Sequence, residues 1–101
     1  MTVNVDLKTE SGDLVIKISG RFDFSEHQEL RKATEKINSS VKRVIIDLRM
    51  TEYVDSSALG MLLVLRDKIG GDKQNLHIIN AKPEVKKILE IASFDKLFTL
   101  V

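Results

Sequence analysis

Few residues in this chain have the type and spacing that chemistry requires. Its two histidines, His27 and His77, lie far apart, and neither has carboxylates or thiols at metal-ligand spacing. Each reads as a bystander rather than a catalytic base. The sequence has no cysteine, which excludes disulfides, thiolate metal sites and cysteine nucleophiles. No glycine-rich phosphate loop occurs, because Gly70-Gly71 follows a helical pattern where such a loop would open one. A nucleophile elbow, G-x-S-x-G, is also missing from the sequence. Neither a metal nor a cofactor is expected, and an enzyme is not the expected class.

Two places remain. Asp47 ends an apolar run, where a response-receiver domain would carry its phosphoacceptor. That chemistry also needs an acidic pair for magnesium, and Gly20-Arg21-Phe22-Asp23 offers one acid only. The second place is Asp55-Ser56-Ser57, an acid and two hydroxyls at the start of a helical pattern. Such residues commonly cap a helix by accepting bonds from its free N–H groups. The same position tolerates phosphate, since the helix N-terminus carries partial positive charge. Residue types alone leave both roles open.

The helix that follows presents two sides. At roughly 100° per residue, Ala58, Leu62, Leu65 and Ile69 cluster on the side expected to face the core. Ser56, Gly60, Leu63 and Asp67 fall opposite. A helical glycine costs about 1 kcal/mol relative to alanine, and tight packing could explain one on the core side. On the outer side, Gly60 beside Leu63 suggests that another protein's surface approaches closely. An incidental glycine and leucine on a helix flank would look the same.

The rest of the chain must position these residues. Val3, Val5 and Leu7 alternate with polar residues, and so do Leu14, Ile16 and Ile18, across a turn at Glu10–Asp13. An antiparallel hairpin is predicted, ended by Gly20. Ser25 with Gln28 fits a capping box for a helix carrying Leu30, Ala33 and Ile37. Arg43–Leu48 is continuously apolar in its middle, as in a central strand covered on both sides. Ala58–Ile69 forms the second helix, closed by Gly70-Gly71. Leu76–Ile79 forms a strand, and Pro83 opens a third helix with the stripe Val85, Ile88, Leu89 and Ala92. The tail from Phe94 to Val101 docks as a last short strand or helix. The expected fold is α/β: one domain over residues 1–101, with a mixed sheet of 4–5 strands packed with 3–4 helices.

Composition fits that reading. The 101 residues are 43% hydrophobic and 31% charged, with a net charge of +1. So balanced a charge argues against a nucleic-acid partner, which needs a clustered basic surface. Lys42-Arg43 and Lys86-Lys87 read as solvated pairs. The N-terminus lacks the basic-then-apolar layout of a signal peptide. The longest apolar stretch, Ala58–Leu65, falls well short of the ~20 residues that cross a membrane. A cytoplasmic protein with no membrane partner is expected.

The stretch Asp55-Ser56-Ser57-Ala58-Leu59-Gly60 resembles the D-S-[ST]-G-L-G signature of STAS-domain anti-sigma factor antagonists. The resemblance spans nearly the whole chain. Gly20-Arg21-Phe22-Asp23 looks like the family's G-x-[ILF]-D segment, Val44–Leu48 like the strand before the signature, and Ile91–Phe98 like its closing helix. The resemblance implies a protein-binding module in signal transduction, regulating transcription by partner switching. It implies that Ser56 is phosphorylated by a serine kinase and dephosphorylated by a PP2C-type phosphatase. The unmodified form would bind an anti-sigma factor or related regulator, and Asp23 would lie near the phosphate. Asp23, Asp55, Ser57, Gly60 and Leu63 are then the expected partner-binding residues. A non-phosphorylated scaffold and a small nucleotide-binding domain are the alternatives. Two positions depart from the pattern: Ala58 replaces the signature glycine, and Arg21 stands where an acid is common.

Overall fold

The computed structural model describes residues 2–101. Strand β1 (Thr2–Lys8) pairs antiparallel with β2 (Asp13–Phe22), as the alternation predicts. Helix α1 (His27–Glu35) then crosses to β3 (Arg43–Asp47), which pairs parallel with β2. A short β4 (Thr51–Val54) leads into helix α2 (Ser56–Lys68). Next come β5 (Leu76–Ile79), helix α3 (Pro83–Ile91) and β6 (Thr99–Leu100). The sheet has six strands in the order β1-β2-β3-β5-β6, with β4 joined to β2 off this path. Every pairing except β1 with β2 is parallel.

The α/β class and the mixed sheet agree with expectation, and the expected strand count was low. β4 and β6 are so short that neither completes an alternating pattern. Gly20 also does not end its strand. At φ 84° it bends β2, which runs on to Phe22.

One side of the sheet holds the core. Register aligns Val5, Ile16, Ile46 and Ile78 across β1, β2, β3 and β5, and Leu14, Val44 and Leu76 beside them. Against these pack Leu30 and Ala33 of α1, Ala58, Leu62 and Leu65 of α2, and Val85 and Leu89 of α3. The other side carries Lys17, Asp47, His77 and the half-buried Val15, Ile45 and Ile79. β3 is therefore covered on one side, not two. Its apolar run spans both parities only because Ile45 contributes to a small apolar patch on the open side.

The helix ends correct two further expectations, at α1 and α3, and bear out one at α2. Ser25 and Gln28 do not form the capping box. Asp23 instead caps the short 3₁₀ turn Phe24–Glu26 that precedes α1, accepting the Ser25 N–H at 3.0 Å. At the other end of the α2 region, Gly70 and Gly71 adopt φ of 97° and 76°, the left-handed backbone that ends a helix. In α3, Val85 and Leu89 are buried and Ile88 is half-buried, while Ala92 is exposed beyond the helix end.

Candidate functional site

The candidate site is built where β2 and β4 run side by side. Gly20 N–H donates to Met50 O at 2.8 Å, and the buried Thr51 hydroxyl donates to Ile18 O at 2.7 Å. These bonds tie the start of β4 to the bend in β2. The register then reads Gly20 with Thr51, Arg21 with Tyr53, and Phe22 with Val54. Glu52 is the extra residue of a bulge, and it turns the following side chains by one step. Phe22 and Val54 consequently point into the core together. Arg21 and Tyr53 share the outer side. Asp55 N–H continues the contact by donating to Phe22 O at 3.3 Å, which sets Asp23 level with Asp55.

The outer side is thus a compact set of Arg21, Asp23, Tyr53 and Asp55, with Ser56 next in the chain. The Arg21 guanidinium carbon lies 4.6 Å from the Tyr53 ring centroid, a cation–π contact. Its Nε is 3.8 Å from an Asp23 carboxylate oxygen, beyond hydrogen-bond reach. Asp23 is engaged on its other oxygen, which accepts from both the hydroxyl and the N–H of Ser25. Those two bonds, helped by the Arg21 charge, hold the Asp23 carboxyl below the usual carboxylate range.

The α2 cap falls on Asp55, not on Ser56. Asp55 has extended backbone at φ −115°, and its Oδ1 accepts from Ala58 N–H at 2.9 Å. Ser56 is the first residue of the helix and is exposed. Among the described residues its hydroxyl enters no side-chain hydrogen bond. Ser57 is half-buried. Down the same flank from Ser56, a Cβ added at Gly60 would meet nothing within 4 Å, and Leu63 is 38% exposed.

Two exposed apolar side chains around this flank were not singled out from sequence. Phe24 is 67% exposed and stacks on His27, with ring centroids 5.3 Å apart. Val64 is 63% exposed. Together with Leu30, Thr34 and Met61, His27 and Val64 line a groove of about 310 Å³ between α1 and α2. A phenylalanine between Asp23 and Ser25 was the only visible signal, because burial of a single apolar residue cannot be read from a short turn.

The other candidates take structural roles. Asp47 accepts from Arg49 N–H at 3.0 Å and from the Asn80 side-chain amide at 3.3 Å, tying β3 to the end of β5. His77 Nε2 lies 3.0 Å from Gln74 O. Among the described residues, no three or more acids and histidines converge as they would around a metal ion. No helix among them is long and apolar enough to cross a membrane.

The profile of the STAS domain matches residues 4–101 of this chain. The chain belongs to the STAS domain family. A STAS-domain containing protein of Pseudomonas aeruginosa (strain UCBPP-PA14) is 44% identical over 100 residues, covering 99% of both sequences. The STAS fold is also shared with solved structures of low identity. An anti-sigma factor antagonist from Mycobacterium paratuberculosis superposes with a TM-score of 0.79 at 21% identity, covering 98% of this chain and 85% of that one. The Bacillus cell fate determinant SpoIIAA in its phosphorylated form superposes with a TM-score of 0.68 at 15% identity, covering 99% and 91%. Within this STAS domain, the signature residues Asp55–Gly60 form the N-terminal end of α2 and its cap.

Proposed function

We propose that this STAS domain is an anti-sigma factor antagonist whose partner contact is switched by phosphorylation of Ser56. The observation that carries this reading is the division of labour at the start of α2. Asp55 supplies the cap, so helix capping does not account for a serine at position 56. That serine is exposed and heads a flank that runs through the open Gly60 and the partly exposed Leu63. A relative-fold protein solved as a phosphorylated form, SpoIIAA, supports modification as the switch. The anti-sigma factor antagonist from Mycobacterium paratuberculosis supports the kind of partner. A serine kinase and a PP2C-type phosphatase would write and erase the mark in the cytoplasm, and the domain itself performs no catalysis.

Charge explains how the switch works without refolding. Phosphoserine carries about −1.5 to −2 charge near neutral pH. In the free domain it stays hydrated, and the N-terminus of α2 partly offsets it. A docked partner would have to desolvate it beside Asp23 and Asp55. A mispaired charge at an interface costs about 2–5 kcal/mol, or roughly 30-fold to several-thousand-fold in affinity.

A paired titration against the native anti-sigma partner tests this. Ser56→Ala should bind as the unmodified protein does, and Ser56→Asp at least about tenfold more weakly, since one carboxylate mimics phosphate incompletely. Thermal melts of the two should nearly coincide, because Asp55 keeps its cap in both. Equal partner affinities would sink the proposal. Phosphopeptide mapping that placed the modification on Ser57 would move the switch to its neighbour.

A further inference from the structure

Resting on the assignment of Ser56 as phosphoacceptor, we propose that Arg21 is the counter-charge for that phosphate. In the unmodified domain the guanidinium is parked on Tyr53 and beside Asp23. On modification it moves onto the phosphoserine.

Three observations lead there. The first is position. The β2–β4 register makes Arg21 the partner of Tyr53 on the outer side, with Asp23 and Asp55 one step along and Ser56 just beyond. Ser56 lies three residue steps beyond Tyr53, about 10 Å of extended chain. An arginine and a phosphoserine reaching toward each other span that distance.

The second is the looseness of the present contacts. The 3.8 Å approach to Asp23 is too long for a hydrogen bond, and Asp23 already accepts from Ser25. The Arg21 side chain is 65% exposed, and its firmest contact is with the face of an exposed ring. No donor of the guanidinium is committed to a well-formed acceptor among the described residues, so the group is free to be recruited.

The third is chemical need. A phosphate on Ser56 would enter a neighbourhood with Asp23 and Asp55, and Glu52 adds a carboxylate on the same strand. The β2–β4 pairing brings one basic side chain to this outer side, and it is Arg21. A guanidinium fork matches phosphate oxygens in a bidentate manner, which a lysine cannot reproduce. Recruitment would also bare the Tyr53 ring, so modification changes the contact surface in two places at once.

Tyr53 makes the movement observable, because it is the single tyrosine of a chain without tryptophan. The experiment installs phosphoserine at position 56 during translation, so that no kinase is needed. The second ionisation of the phosphate is followed by ³¹P NMR, and Tyr53 emission is recorded with and without the phosphate. An adjacent guanidinium favours the dianion, so the wild-type phosphate should titrate about half a unit or more below that in Arg21→Gln. Arg21→Lys should fall between them. Phosphorylation should change Tyr53 emission in the wild-type domain and leave it unaltered in Arg21→Gln. Cells that never phosphorylate Ser56 would remove the switch proposed above and leave this measurement untouched. Equal phosphate titrations in wild type and Arg21→Gln would overturn the role of Arg21, whatever the tyrosine does.

Discussion

An arginine–aspartate pair lies at each end of β2, and the two pairs are built to opposite effect. At the first end, Arg43 grips Asp13 with two bonds, Nε to Oδ1 at 3.0 Å and a terminal nitrogen to Oδ2 at 2.8 Å. Arg43 N–H and Lys42 N–H both donate to Gly12 O, and Gly12 N–H donates to Lys8 O. The carbonyl of Gly12 thus receives the incoming strand. At the far end, Arg21 stands 3.8 Å from Asp23 and rests on an exposed ring. Fork geometry with paired bonds sets register and resists change. A guanidinium held by one ring and one distant charge can be reassigned by a modest new charge. One strand therefore carries a fastening at its start and a responsive surface at its end.

That contrast can be broken most sharply at the far end. Gly60→Arg should lower affinity for the proposed anti-sigma partner by about 30-fold or more, the scale of an interfacial mismatch. Its stability should rise or stay level, since the added side chain meets nothing and a helical glycine is unfavourable by about 1 kcal/mol. Calorimetric titration with a denaturation curve reads both quantities. Unchanged affinity in the folded variant would take this flank out of the interface.

The fastened end should respond in the opposite sense. Gly12 sits at φ 76°, and a Cβ there would lie 2.6 Å from Lys42 Cγ. Gly12→Ala should cost about 1–2 kcal/mol from left-handed backbone strain, with lysine rearranging to relieve the clash. Partner affinity of the folded fraction should not move. Urea denaturation checks the first point, and a binding change without a stability change would contradict the division between the ends.

The smallest effect is in acid. The Arg43 fork holds the Asp13 carboxyl below its ordinary value of 3.8. Its stabilisation is complete above that value and is lost as pH falls through the lower, folded-state one. The stability gap between wild type and Arg43→Gln should accordingly be largest near neutrality and narrow below about pH 4. Urea curves at neutral pH and near pH 3 measure it, and a gap that stayed constant would mean that the pair contributes by packing alone.

Much of this molecule could be read along the chain because the governing forces are local. Alternating Val3-Val5-Leu7 and Leu14-Ile16-Ile18 can bury one side only as a hairpin. Ala58, Leu62 and Leu65 recur at helical spacing and turn inward, which leaves Ser56, Gly60 and Leu63 outward. Gly70 and Gly71 close that helix because left-handed backbone suits them. Apart from the short β4, the order of elements and the flank carrying Ser56 were therefore determined by sequence alone.

What only the tertiary structure decided depends on partners distant in the chain. β4 exists because Thr51 reaches Ile18 O and because Gly20 bends toward Met50, contacts that no four-residue pattern encodes. The bulge at Glu52 shifts the side-chain phase by one, so Tyr53 lies outside with Arg21 where strict alternation would give a different partner. Asp55 rather than Ser56 takes the cap because pairing with Phe22 O fixes its extended backbone first. Local periodicity chooses which residues turn outward, and long-range pairing chooses which of them become neighbours.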